Sequence, residues 1–72
     1  MIPSDYEKEF GGDLNVYARI FSLTDCPTLR KEFDQAEEES KRQEFGSPRK
    51  KLSVGYMIAA ADRMDEIRCS GA

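Results

Sequence analysis

Residues 47–69 read SPRKKLSVGYMIAAADRMDEIRC, and this stretch decides the fold. Ser47 is a good N-cap, because its hydroxyl can accept from the free N–H groups of a first helical turn. Pro48 follows at the first helical position, where its missing N–H costs nothing. Apolar residues then recur at Val54, Met57, Ile58, Ala61, Met64 and Ile67, mostly three and four apart, so they mark one side of a helix. At about 1.5 Å per residue this helix spans roughly 30 Å. In a chain of 72 residues it is the wall against which the other segments pack.

Working outward, Gly46 before Ser47-Pro48 is the strongest turn signal in the sequence. Glycine suits the left-handed C′ position that ends one helix, and Ser-Pro starts the next. The preceding helix is expected over TLRKEFDQAEEESKRQEF, residues 28–45, with Leu29, Phe33 and Ala36 inward and a stripe that thins to Ser40 before Phe45. Glu37 with Lys41, and Glu38 with Arg42, are acid-before-base pairs four apart that support such a helix. So short a connection predicts antiparallel neighbours. Folding about Gly46–Pro48 brings Cys26 and Cys69 to the same open end, as two unpaired thiols, as a redox-sensitive disulfide, or with Cys26 as a reactive thiol at a helix N-terminus, though no histidine is present to activate it.

Thr24-Asp25-Cys26-Pro27 is a break, since proline disfavours helical geometry in the residue before it; Thr24, Asp25 or Cys26 is the boundary, with Pro27 in the first turn of the next helix. Ahead of it, Asp13 caps LNVYARIFSL, where Leu14, Tyr17 and Phe21 share a face widened by Val16 and Ile20. A strand is conceivable for NVYARIF. No second strand pattern exists to pair with it, so a short helix is expected. Residues 1–12 read as a flexible arm. Ser4 and Glu7 form a capping-box pattern for about two turns, Tyr6 and Phe10 dock, and Gly11-Gly12 ends the segment. The expected architecture is therefore all-α: an antiparallel helical hairpin with a short packed N-terminal helix. That makes three helices in a single domain over 13–72, standing alone or completed by a dimer. Chains this small bury only about 60 % of their unfolded surface, which makes a second copy or a partner plausible on size alone.

Composition narrows the function. Net charge is −3, which argues against broad binding to phosphate backbones. No run of about twenty apolar residues is present, and the acidic start MIPSDYEKEF does not read as a secretory signal. The expectation is a cytoplasmic protein with no membrane partner. Histidine is absent, which removes the usual general base and the commonest neutral metal ligand. No nucleophile-elbow, phosphate-loop, dinucleotide or metal-binding pattern occurs. No enzyme activity, catalytic residue, metal or cofactor is expected.

Two features point to binding instead. Gly55 and Ala59-Ala60-Ala61 let another backbone approach closely, either the Leu14–Leu23 helix or a second chain. Glycine inside a helix costs about 1 kcal/mol against alanine, so close packing is the compensating reason to have it. The expected partner-binding residues are Tyr56, Met57, Ala60, Met64 and Ile67, on an apolar helix face presented to another protein or to a second copy. Arg49-Lys50-Lys51 places three cations in a first helical turn, where the macrodipole favours anions. They either pair with Glu44 and Glu39 across the turn or contact nucleic acid or an acidic partner. The acidic run Glu37-Glu38-Glu39 reads as a solvated face, and Asp62, Asp65 and Glu66 beside Arg63 and Arg68 as surface ion pairs.

Tyr56, Ala60-Ala61-Asp62-Arg63 and Glu66-Ile67 resemble one helix of the Hha/YmoA group of small helical nucleoid modulators, with Tyr17, Arg19 and Thr28-Leu29 matching their first helices. The resemblance covers about a dozen positions. The chain departs from the group's pattern by an extra residue after Tyr56, by Arg63 directly after Asp62 and by the acidic stretch at 37–44; the group's C-terminal portion has no counterpart. It implies a nucleic-acid-linked regulator acting through a DNA-binding partner or through Arg49–Lys51. The reading the residues favour is a non-catalytic protein-interaction module: an adaptor, inhibitor or secretion-type chaperone.

Overall fold

The structure is a computed structural model that describes residues 2–69, and those residues are helical with no strand. Four helices follow one another: α1 (Pro3–Phe10), α2 (Leu14–Ser22), α3 (Cys26–Arg42) and α4 (Pro48–Glu66). The residues expected as an arm form α1. It starts at Pro3, whose fixed φ is already helical. The N-cap is therefore Ile2, not Ser4, and the Asp5 carboxylate accepts from the Ile2 N–H at 3.4 Å. Asp13 caps α2 by accepting from the Asn15 N–H at 2.9 Å. Ser47 caps α4 by accepting from the Lys50 N–H at 3.1 Å.

α3 starts within the expected break and departs from expectation at its end. It begins at Cys26, with Asp25 as N-cap and Pro27 inside the first turn. It ends at Arg42, so Phe45 is not on an inner stripe but 94 % exposed in the turn that follows. No apolar residue lies between Ser40 and Phe45, so no packing carries the helix on to Phe45. Gly46 takes the left-handed φ of +84° within that turn, past the helix end.

The start of α3 lies beside the end of α4, where Cys26 and Cys69 form a disulfide with their Cα atoms 5.6 Å apart. At the other end Lys50 donates from Nζ to the Ser40 carbonyl at 2.7 Å. These two ties show that α3 and α4 run side by side in opposite directions. α1 and α2 pack on α4 and on each other. The Cα envelope measures 32 × 23 × 15 Å, and the thinnest dimension is that of two packed helices, so each helix keeps an outer face.

The core differs from the stripe drawn on the sequence. The most buried positions of α4 are Ser53, Gly55, Ala59 and Ala60, all small. Met64 and Ile67 are half-buried at its margin. The large groups come from elsewhere: Tyr6, Tyr17 and Leu29 are fully buried, and Ile20 nearly so. The aromatic rings of α1 and α2 lie against the small-residue surface of α4. The Tyr6 and Tyr17 ring centroids are 5.6 Å apart, and those of Tyr17 and Tyr56 5.0 Å, within the range of favourable aromatic pairs.

Buried hydroxyls need partners, and here they lock the helices together. Tyr6 donates to Asp62 on α4. Tyr17 donates to the Gly11 carbonyl at 2.8 Å. Burial pushes the Tyr17 hydroxyl up to about 12, with Tyr56 and Glu7 adding to the effect. The raised value means the folded chain holds this proton where the unfolded chain releases it near 10. Stability from this group is therefore complete below about pH 10 and is lost as pH climbs from 10 toward 12. In an absorbance titration, Tyr17 should ionise well above the free-tyrosine value, together with loss of helical signal. Ionisation of all three tyrosines at the free-tyrosine value would contradict this burial.

Candidate interaction surface

The expected partner residues do not share one fate. Ala60 is fully buried by the chain's own helices and offers no surface, which corrects its place in the expected face. Tyr56, Met64 and Ile67 are half-buried against the core. Met57 is half-buried on α4. The small-residue surface around Gly55 is filled from within: a Cβ there would overlap the Phe10 side chain and lie 2.8 Å from the Tyr17 hydroxyl. The close approach expected at Gly55 is thus made by α1 and α2 of the same chain. The approach of α2 was expected at Gly55; Phe10 was expected to dock on the core, but not at this position.

Only Tyr56 of that expected set lines the groove of about 490 Å³ bounded by α2, α3 and α4. Its apolar lining is Val16 and Ile20 from α2, Ala36 from α3, and Leu52 and Tyr56 from α4. Charged residues stand at its edges: Glu32 and Glu39 from α3 and Arg49 from α4. The groove exists because α2 and α3 both lean on α4 while making little contact with each other. Glu32 is engaged by Arg19 at 3.3 Å, a partly exposed pair that contributes little to stability. Glu39 accepts from Gln43 Nε2 at 2.6 Å. Burial raises the pKa of the Tyr56 hydroxyl, with Asp13 adding to the shift, so Tyr56 presents a neutral hydroxyl at physiological pH.

The three cations of the α4 first turn also divide. Lys50 is held by the Ser40 carbonyl, Arg49 reaches the groove, and Lys51 is exposed. The pairing expected with Glu44 and Glu39 does not form. The ion pairs among the described residues are Arg19–Glu32, Arg30–Asp34 and Arg63–Glu66. The pairs expected at Glu37–Lys41 and Glu38–Arg42 are therefore absent there. Arg63 also donates from Nε to the Leu23 carbonyl at 2.8 Å, tying α4 to the α2–α3 connection. Among the described residues, no three His, Cys, Asp or Glu side chains are placed to share a metal ion. No helix among them is long and apolar enough to cross a membrane.

The fold and groove define a small four-helix protein with a covalent tie across its open end. No family model, curated protein or solved structure matches the chain. The likeness to the Hha/YmoA group rests on the residues quoted above alone.

Proposed function

We propose that this chain is a non-catalytic protein-interaction module, an adaptor, inhibitor or chaperone-type binder that receives an amphipathic helix of another protein in the α2–α3–α4 groove. The observation that supports this reading most is the chemistry of the groove lining, an apolar strip flanked by carboxylates on α3 and a guanidinium on α4. A helix laid there buries its apolar side, while its charged edges choose the direction of docking. A basic residue of the guest faces Glu39, and an acidic one faces Arg49. A homodimer that buries the same groove is the competing occupant.

The disulfide bears on location. Reducing cytosol keeps such thiols unpaired, whereas small domains in oxidising compartments rely on disulfides. The Cys26–Cys69 bond supports an oxidising setting or a redox-linked state over the cytoplasmic one that composition suggests.

The test is selection of helical peptides from a displayed library against the oxidised chain, with Ala36→Arg as counter-target. Arginine favours helix, and at position 36 it fills the groove without removing a core side chain. Selected peptides should carry one apolar stripe with opposite charges on its two edges and lose at least tenfold in affinity for Ala36→Arg. Sedimentation equilibrium decides the occupant. A monomer accords with a foreign helix; a dimer dissociated by Ala36→Arg replaces it with a second copy. Peptides that bind both proteins equally would overturn the proposal.

A further inference from the structure

The α3–α4 turn has a chemistry the groove does not share. Phe45 stands 94 % exposed at its tip, the most exposed of the large apolar residues described. A phenylalanine left in water gains nothing from folding, and a partner that covered it would recover its transfer free energy. Beside it lies a notch of about 280 Å³, lined mainly by carbon, in which Phe45 faces Phe10 and Val54 with Lys50 and Lys51 at its sides. Residues 41–51 also segregate charge. They hold Lys41, Arg42, Arg49, Lys50 and Lys51 against Glu44 alone, so five of the chain's 11 cationic residues and one of its 14 acidic ones fall there. The remainder of the chain carries more than twice as many carboxylates as cations.

We infer that this turn is a second docking surface, and that it takes an acidic peptide segment of another protein bearing one apolar side chain. The notch accepts the side chain between Phe45 and Val54, and the flanking carboxylates meet Lys51 and the neighbouring cations. Charge complementarity fixes the sign of the partner. The concavity fits one residue of a peptide better than a flat lipid surface. The acidic remainder of the body repels a polyanion such as nucleic acid, which runs on past the contact. Lys50 is held by the Ser40 carbonyl and so arrives preorganised.

The probe is a fluorescein-labelled twelve-residue peptide with a central leucine flanked by aspartate and glutamate, titrated by anisotropy into the oxidised chain. A control peptide carries lysine at the acidic positions. The acidic peptide should bind, the basic one should not, and affinity should fall as salt rises from 50 to 300 mM. Phe45→Ser and Lys51→Glu should each weaken binding at least tenfold, and Ala36→Arg should leave it unchanged. Phe45 and Lys51 are both exposed, so a circular dichroism spectrum like that of the parent verifies each variant's fold. Three outcomes would overturn the inference: no preference for the acidic peptide, binding indifferent to Phe45, or phosphatidylserine vesicles or single-stranded DNA binding in its place with the same dependence on Phe45 and Lys51. Loss of peptide binding in Ala36→Arg would assign it to the groove.

Discussion

Replacing both cysteines, as Cys26→Ser with Cys69→Ser, should lower the unfolding free energy by about 4 kcal/mol, and reductant should do the same to the parent chain. The bond joins residues 43 apart in sequence. Holding the ends of a loop that long together in the unfolded chain removes entropy equivalent to about 4 kcal/mol at room temperature in the chain-entropy account. In a domain this small, that corresponds to a melting temperature lower by roughly 15–30 °C. The loss should concentrate where the bond acts. Cys26 opens α3, and Cys69 follows the left-handed turn at Arg68 that ends α4. Hydrogen exchange should accelerate first in the final turns of α4, beyond the Tyr6–Asp62 and Arg63–Leu23 bonds that still tie it. A loss under 1 kcal/mol would mean that the packing of α3 on α4 closes this end without covalent help.

The second large effect is at Gly55, where two terms of opposite sign compete. Alanine gains about 1 kcal/mol over glycine in a helix interior. The added methyl, however, meets the Phe10 side chain and sits 2.8 Å from the Tyr17 hydroxyl. Overpacking a close-packed site costs about 1–3 kcal/mol and occasionally more. Relief here requires moving both α1 and the fully buried Tyr17 ring, which is also hydrogen-bonded to Gly11. The clash therefore wins, and Gly55→Ala should destabilise by about 2 kcal/mol in urea or thermal unfolding. A stabilised Gly55→Ala would show that α1 does not dock on α4 in solution. Gly46→Ala makes a useful contrast. No atom stands near a Cβ there, so its cost is the left-handed φ alone, about 1 kcal/mol.

Both predictions rest on features that were only partly legible in the sequence. Ser47-Pro48 and Asp13 announced the starts of α4 and α2, because capping is a local matter of one side chain and two or three N–H groups. Cys26 and Cys69 were brought to one end by a single turn signal, but spacing alone could not say whether they bond. The two turns of α1 and the docking of Tyr6 and Phe10 were legible, but its start at Pro3 and its fixed place were not, because that place is set by a distant hydrogen bond to Asp62. The apolar stripe of α4 misled for a related reason. When large rings arrive from neighbouring helices, the deepest positions go to Gly55, Ala59 and Ala60, and the larger residues spread to the margins. Phe45 was misplaced because a helix end depends on what its last turn packs against, which lies outside its own residues. The groove was not visible, since it arises from the scant contact between α2 and α3; Val16, Ile20 and Ala36 of its lining were read as inward residues, and of the expected contact residues only Tyr56 and Arg49 reach it.

The most direct measurement is an amide and methyl chemical-shift map of the oxidised chain titrated with a helix selected against it. The account expects the largest changes at Val16, Ile20, Ala36, Leu52 and Tyr56, with the signals of Tyr6 and Ala59 in the core unmoved. Changes centred instead on Met57, Met64 and Ile67, with Val16 and Ala36 silent, would contradict the groove as the site of partner binding.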